Sequence, residues 1–174
     1  MKEKMHEAMC AQMQGFRLPR YDEIPDVGLY LEQVTVYAGN ALQRLQSVTI
    51  TGSMISNYVK KGLVTNPVKK RYSRSQIAGL ICIVVAKTVL ALEDIQVLMD
   101  MQRRFGDIRL SYNFFCEELE NALNYVFGMG PSLQELSEDI PDEGLLIRKT
   151  VVAVSHKIYL DTYLRLLSEE LPGN

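Results

Sequence analysis

The segment Ile50-Thr51-Gly52-Ser53-Met54-Ile55-Ser56-Asn57-Tyr58-Val59-Lys60-Lys61-Gly62-Leu63-Val64 decides how this chain is read. Thr51 opens a helix, because its hydroxyl can accept one of the amides that a helix's first turn leaves unpaired. Gly62 closes it, since the left-handed conformation of a helix end carries no steric penalty for glycine. Between them, Ile55 with Val59 and Met54 with Tyr58 are i,i+4 neighbours and make one apolar face. Ser53, Ser56, Asn57 and Lys60 share the other face, which has no acid and no large apolar group. Such a helix is expected to dock by one side and to offer small polar groups and positive charge on the other.

Upstream, Leu31, Val34, Ala38, Leu42 and Leu45 recur at helical spacing and predict a helix from Leu29 to about Leu45, connected through Gln46 to Ile50. Downstream, Leu63-Val64 and Arg71-Tyr72 flank the turn signal Thr65-Asn66-Pro67. That pattern predicts a two-stranded hairpin with Lys69-Lys70-Arg71 on its return limb. Ser73 and Gln76 have capping-box spacing. The helix they open, Ile77 to Ala86, is apolar on all sides and belongs at the centre of a core. Within it Cys82 reads as a small buried hydrophobe, and Lys87 at its end as a snorkelling side chain.

Two amphipathic helices follow, Leu92–Arg104 through Ile95, Leu98, Met99 and Gln102, and Leu110–Phe127 through Phe115, Leu119, Ala122 and Val126. An acidic loop, Ser132 to Glu143, leads to a last helix, Gly144 to Glu170. It carries two apolar stripes, Ile147, Val151, Val154 and Ile158, and Val152, Tyr159, Tyr163 and Leu166. Two stripes exceed what one small core uses, so a homodimer through the C-terminal helices or a small apolar ligand pocket is expected. Residues 1–28, interrupted by Pro19 and Pro25 and loosened by Gly15 and Gly28, read as an N-terminal arm. The order helix, turn, helix, basic hairpin, helix is that of a winged helix-turn-helix. The expected fold is therefore mainly α, with a winged helix-turn-helix over residues 29–105 and a C-terminal helical dimerisation or effector region over 106–174.

Charge points the same way. The 174 residues are 47% hydrophobic and 23% charged, with a net charge of −2. No Asp or Glu occurs in residues 33–92, which hold Arg44, Lys60, Lys61, Lys69, Lys70, Arg71, Arg74 and Lys87, a local charge of +8 against −10 for the rest. Segregation this sharp implies a basic surface for a polyanion on an otherwise acidic body. Small hydroxyls and an amide are what read base edges in the major groove, and an Asn can pair bidentately with adenine. Ser53, Ser56, Asn57 and Lys60 are accordingly offered to a DNA groove, and Lys69, Lys70 and Arg71 to phosphates, which fix register without reading sequence. Thr51, Lys61 and Arg74 complete the expected DNA-binding set, with Lys60 and Lys61 supplying charge. Tyr58 shares the face of Met54 and is assigned to the core, with its hydroxyl still able to reach a phosphate at the edge.

The same residues carry a resemblance. The Ile50–Val64 segment, then Lys70-Arg71-Tyr72-Ser73, then Leu92-Glu93-Asp94-Ile95 resemble the DNA-binding domain of MerR-type regulators over roughly residues 45–100. That family has Val-Ser-x-x-Thr-Leu-Arg-Tyr-Tyr-Glu-x-x-Gly-Leu-Leu, a wing ending Arg-x-Tyr-Ser and a helix opening Leu-x-x-Ile. The Ile-Ser-Asn-Tyr-Val-Lys-Lys-Gly block is more similar still to an uncharacterised bacterial family classed as a domain of unknown function. Ser56 stands where MerR-type proteins have Arg, Asn57 where they have the first Tyr, and Val59 where they have Glu. The phosphate-clamping Arg-Tyr is thus missing, and Tyr58 and Gly62-Leu63 carry over. The resemblance implies a dimeric transcriptional regulator binding double-stranded DNA. Its effector, if one exists, is not identified by any residue after Leu110.

Other classes lack their residues. Cys10, Cys82 and Cys116 form no C-x-x-C pair, which argues against a zinc site and a disulfide scaffold and fits a reducing cytoplasm. The longest apolar run, Ile77 to Leu92, is interrupted by Lys87 and is shorter than the ~20 residues of a membrane span. The opening MKEKMHEAMC mixes acids with bases and has no apolar stretch, so no secretory signal is expected. No nucleophile elbow, phosphate-binding glycine loop or H-E-x-x-H is present. His6 and His156 lie far apart, and Glu117, Glu118 and Glu120 read as a solvated face, so no enzyme, cofactor or metal site is expected. The basic region lacks the exposed aromatic platform of single-stranded RNA binders. The alternative that remains is an all-helical protein–protein adaptor without nucleic-acid binding.

Overall fold

The computed structural model describes residues 2–170; Met1 of the expected arm and residues 171–174 of the C-terminal region lie outside the described residues. In chain order the elements are α1 (Lys2–Met13), a 3₁₀ turn (Tyr21–Glu23), β1 (Leu29–Tyr30), α2 (Leu31–Leu42), α3 (Gly52–Lys60), β2 (Arg71–Tyr72), α4 (Arg74–Ala86), α5 (Leu92–Phe105), α6 (Ile108–Val126) and α7 (Asp142–Glu170). The chain is thus mainly helical with one small antiparallel two-stranded sheet.

α4 organises the rest. A helix with Ile77 through Ile81 and Ile83 through Ala86 all buried must be covered on every side. It packs on α2 and the 3₁₀ turn, and on α6 and α7. One contiguous apolar core consequently runs from Met5 through Tyr58 and Leu80 to Ile158. The capping box that starts α4 is present, with Ser73 Oγ accepting from Gln76 N at 3.3 Å and Gln76 Oε1 accepting from Ser73 N at 2.7 Å.

Three expectations are corrected. The segment expected as an arm contains α1, whose Met5, Met9 and Met13 are 3%, 1% and 1% exposed. Their i,i+4 spacing puts them on one face, and α1 packs on α7. Leu18 and Ile24 are buried too, and Arg20 grips Glu120 of α6 through two bonds of 2.7 Å. Second, Arg71-Tyr72 pairs not with Leu63-Val64 but with Leu29-Tyr30, in the register Leu29↔Tyr72 and Tyr30↔Arg71. Leu63 and Val64 turn inward instead and are buried. Third, only Glu117 of the α6 acids faces solvent. Glu118 is 6% exposed and bonded to Arg148 of α7, whose basicity burial lowers. Glu120 serves the Arg20 clamp.

α6 begins at Ile108 because Asp107 caps it, Oδ1 accepting from Arg109 N at 2.8 Å. α7 lies mainly along α6. Its first stripe is core, with Val151, Val154 and Ile158 buried. Its second stripe packs against the rest of the chain, Tyr159 meeting Phe127 edge-on at 5.3 Å. The surplus stripe is therefore covered within the chain, and what stays open on α7 is a different set, Leu145, Leu146, Leu160 and Leu164. Among the described residues no helix is long and apolar enough to cross a membrane.

Candidate nucleic-acid interface

α3 is seated by one side. Ile55 and Tyr58 are fully buried, Met54 and Val59 partly. Thr51 Oγ1 accepts from Met54 N at 3.2 Å, and Gly62, at φ +78°, turns the chain after the last residue. Gly52 brings the start of α3 close to α2, where an added methyl would stand 3.6 Å from Leu31 Cδ2. The opposite side, Ser53, Ser56, Asn57 and Lys60, is exposed, as are Thr51 and Lys61. Tyr58 is out of reach of any phosphate. Among the described residues its hydroxyl is buried without a hydrogen-bond partner; burial raises its pKa, and the exposed Lys87 ammonium lies 5.6 Å from its ring.

The return limb is a tight turn. Val68 N donates to Arg71 O at 3.1 Å and Arg71 N to Val68 O at 2.9 Å, so Lys69 and Lys70 occupy its two central positions. Both have positive φ, 49° and 64°. A turn with two left-handed central residues matches the twist of paired strands and is normally built from Asn-Gly. Here two lysines adopt it at a cost of roughly 1–2 kcal/mol each. The loop before the turn is pinned by Gln76, whose Nε2 donates to Thr65 O at 2.8 Å and Thr65 Oγ1 at 3.0 Å. Gln76 thus positions this loop as well as capping α4.

The ten residues assigned to DNA do not have one fate. Lys60, Lys61, Lys69 and Lys70 are exposed, and among the described residues no carboxylate lies within ion-pair distance of them. Arg71 is exposed but ordered: its guanidinium stacks 4.8 Å from the Tyr30 ring centre and donates to Val27 O at 3.3 Å. Arg74 is used internally. Its Nε donates to Ile24 O at 2.8 Å, it lies 3.8 Å from Asp22 and 3.9 Å from Asp26, and its side chain is 22% exposed. It staples the N-terminal segment to α4 and is not a free phosphate contact. Arg44 is likewise spent on Gln12 O and Gln14 O.

Two participants were missed by the sequence reading. Tyr30, 46% exposed, stands beside the turn because β1 pairs with β2. Gly28, at φ +74°, allows that approach: an added methyl there would stand 3.1 Å from Arg71 Cβ. No local signal joins residues 28–30 to residue 71; only the pairing does. Among the described residues no three His, Cys, Asp or Glu side chains gather to hold a metal ion.

The chain belongs to the family described as domain of unknown function DUF1836, whose family model matches residues 19–115. That span runs from the Arg20 segment through α3, the lysine turn and α4 into α6. No curated protein and no solved structure matches the chain.

Proposed function

We propose that this protein binds double-stranded DNA with sequence specificity and regulates transcription in the cytoplasm, as a MerR-like winged helix-turn-helix. In this reading α3 lies in the major groove, where Ser53, Ser56 and Asn57 meet base edges while Lys60 and Lys61 meet phosphates. The turn at Lys69-Lys70, with Arg71 held over Tyr30, follows the phosphate backbone beside it. The pairing of β1 with β2 supports the winged arrangement, since it seats the turn against the start of α2.

The lysine turn carries the reading. Backbone strain persists where something besides folding requires the residue. Two exposed lysines hold left-handed positions that Asn-Gly would fill at lower cost, and among the described residues no acid neutralises them. The proposed homodimer no longer draws on the covered second stripe and rests on Leu145, Leu146, Leu160 and Leu164 of α7 alone. Leu160 and Leu164, 54% and 59% exposed, are also the observation that favours an adaptor.

The double substitution Lys69→Asn, Lys70→Gly separates the two. It keeps the turn and relieves its strain, so the folded chain gains about 1 kcal/mol or more. It also removes two charges, so duplex DNA binding weakens and its log–log salt slope flattens by up to ~2. Unchanged affinity for duplex DNA in the stabilised variant refutes the reading.

A further inference from the structure

α4, α5, α6 and α7 do not close completely. An inner chamber of about 80 Å³ lies among Cys82, Ile95, Phe115 and Ile147. An outer chamber of about 290 Å³ opens beside Thr65, Gln76 and Arg103. Gly79, Met99, Gln102 and Ile108 line both. At their junction Gly79 offers no side chain, and an added methyl would stand 3.4 Å from Met99 Cε. Methionine there is a flexible partition rather than a wall.

The chambers differ in chemistry. The inner one is apolar, and the carboxylate that lines it, Glu143, is bonded to Ser111 Oγ at 2.9 Å. Water there would find few of the two to four polar partners it needs. The outer one has one charged side chain in its lining, Arg103, and no carboxylate. Arg103 is fixed by Asp100 Oδ1 at 2.9 Å and by Leu63 O at 2.7 Å. Those bonds use two of the five N–H groups of a guanidinium, and the remainder are donors held in a known place.

We propose that this paired cavity binds a short-chain carboxylic acid, its hydrocarbon tail in the inner chamber and its carboxylate at Arg103 and Gln102 in the outer one. The inner volume, about half that of the ~150 Å³ apolar cavity known to admit benzene, takes the end of an alkyl chain rather than a fused ring system. A charged head cannot follow the tail inward without losing its hydration, so the order of tail and head is set. The site does not depend on the DNA reading.

Hexanoate titrated into the full chain without nucleic acid tests this, with 1-hexanol and hexylamine as controls and the methionine methyl resonances as reporters. Saturable hexanoate binding that shifts the Met99 methyl is expected, with hexanol weaker by roughly tenfold and hexylamine weaker still. Arg103→Gln should bring hexanoate down to the level of hexanol while leaving hexanol binding unchanged. Cys82→Leu, which fills the inner chamber, should weaken both ligands by about tenfold or more. Absence of saturable hexanoate binding overturns the proposal, as does hexanol binding as tightly as hexanoate, or hexanoate affinity indifferent to Arg103→Gln.

Discussion

Replacing Glu120 by alanine removes the acceptor for three donors at once. Its Oε1 takes Leu18 N at 2.9 Å and Arg20 Nη1 at 2.7 Å, and its Oε2 takes Arg20 Nη2 at 2.7 Å. The two side chains are only 22% and 15% exposed, and the carboxylate holds Arg20 more basic than an ordinary guanidinium. Stranding one member of a buried pair costs about 3–5 kcal/mol. Partial access of water to Arg20 reduces that to roughly 2–3 kcal/mol. Glu120→Gln keeps one acceptor oxygen and should cost about 1–2 kcal/mol. Arg20→Met combined with Glu120→Met strands no charge and should cost less than Glu120→Ala alone. Urea unfolding followed by far-ultraviolet circular dichroism measures all three. A loss below ~0.5 kcal/mol for Glu120→Ala, the range of ordinary surface changes, would refute the view that this clamp ties the N-terminal segment to α6.

Asn57→Ala, on the exposed side of α3, should leave stability within ~0.5 kcal/mol and cost ~1–3 kcal/mol on a specific duplex but almost nothing on random DNA; equal weakening on both in competition assays would deny α3 a role in base reading. Burial pushes the Cys116 thiol up to about 12 and Cys82 well above its ordinary value. Because the folded thiols are weaker acids than the unfolded ones, stability should hold below about pH 9 and fall as pH rises beyond it, by up to ~1.4 kcal/mol per unit per thiol. Alkylation at pH 8 should then reach Cys10 first, and native Cys116 reacting as fast as Cys10 would contradict the packing of α6.

Local signals were legible. Thr51, Gly62, Ser73 and Gln76 act within one helical turn, so their spacing alone placed both ends of α3 and the start of α4. Pairing over distance was not. Arg71-Tyr72 pairs with Leu29-Tyr30 rather than the nearer Leu63-Val64, because Leu63 and Val64 are buried as core side chains beside residues of α4 and α5. The α1 stripe was masked because polar His6, Glu7 and Gln12 are interspersed among Met5, Met9 and Met13, and because Gly15 and Pro19 suggested a loose segment. At the candidate site, charge counting found the acid-free surface but could not tell free cations from consumed ones. Arg74 is bound by Ile24 O, fifty residues away in sequence, and Arg44 by α1 and the residue after it. Glu118 was invisible as a buried ion for the same reason, since its partner Arg148 lies on another helix.

The central claim is that the free cations of α3 and its neighbouring turn hold duplex DNA, and the salt dependence of binding by the intact chain tests it most directly. Lys60, Lys61, Lys69, Lys70 and Arg71 remain available. At ~0.9 in slope per phosphate neutralised, one chain making most of these contacts should show log K falling with log salt at a slope of about −4, and a twofold assembly at about −8. Fluorescence anisotropy of a labelled duplex between ~50 and ~200 mM salt resolves such slopes easily. Affinity independent of salt over that range, or no measurable duplex binding at its low end, would contradict the account.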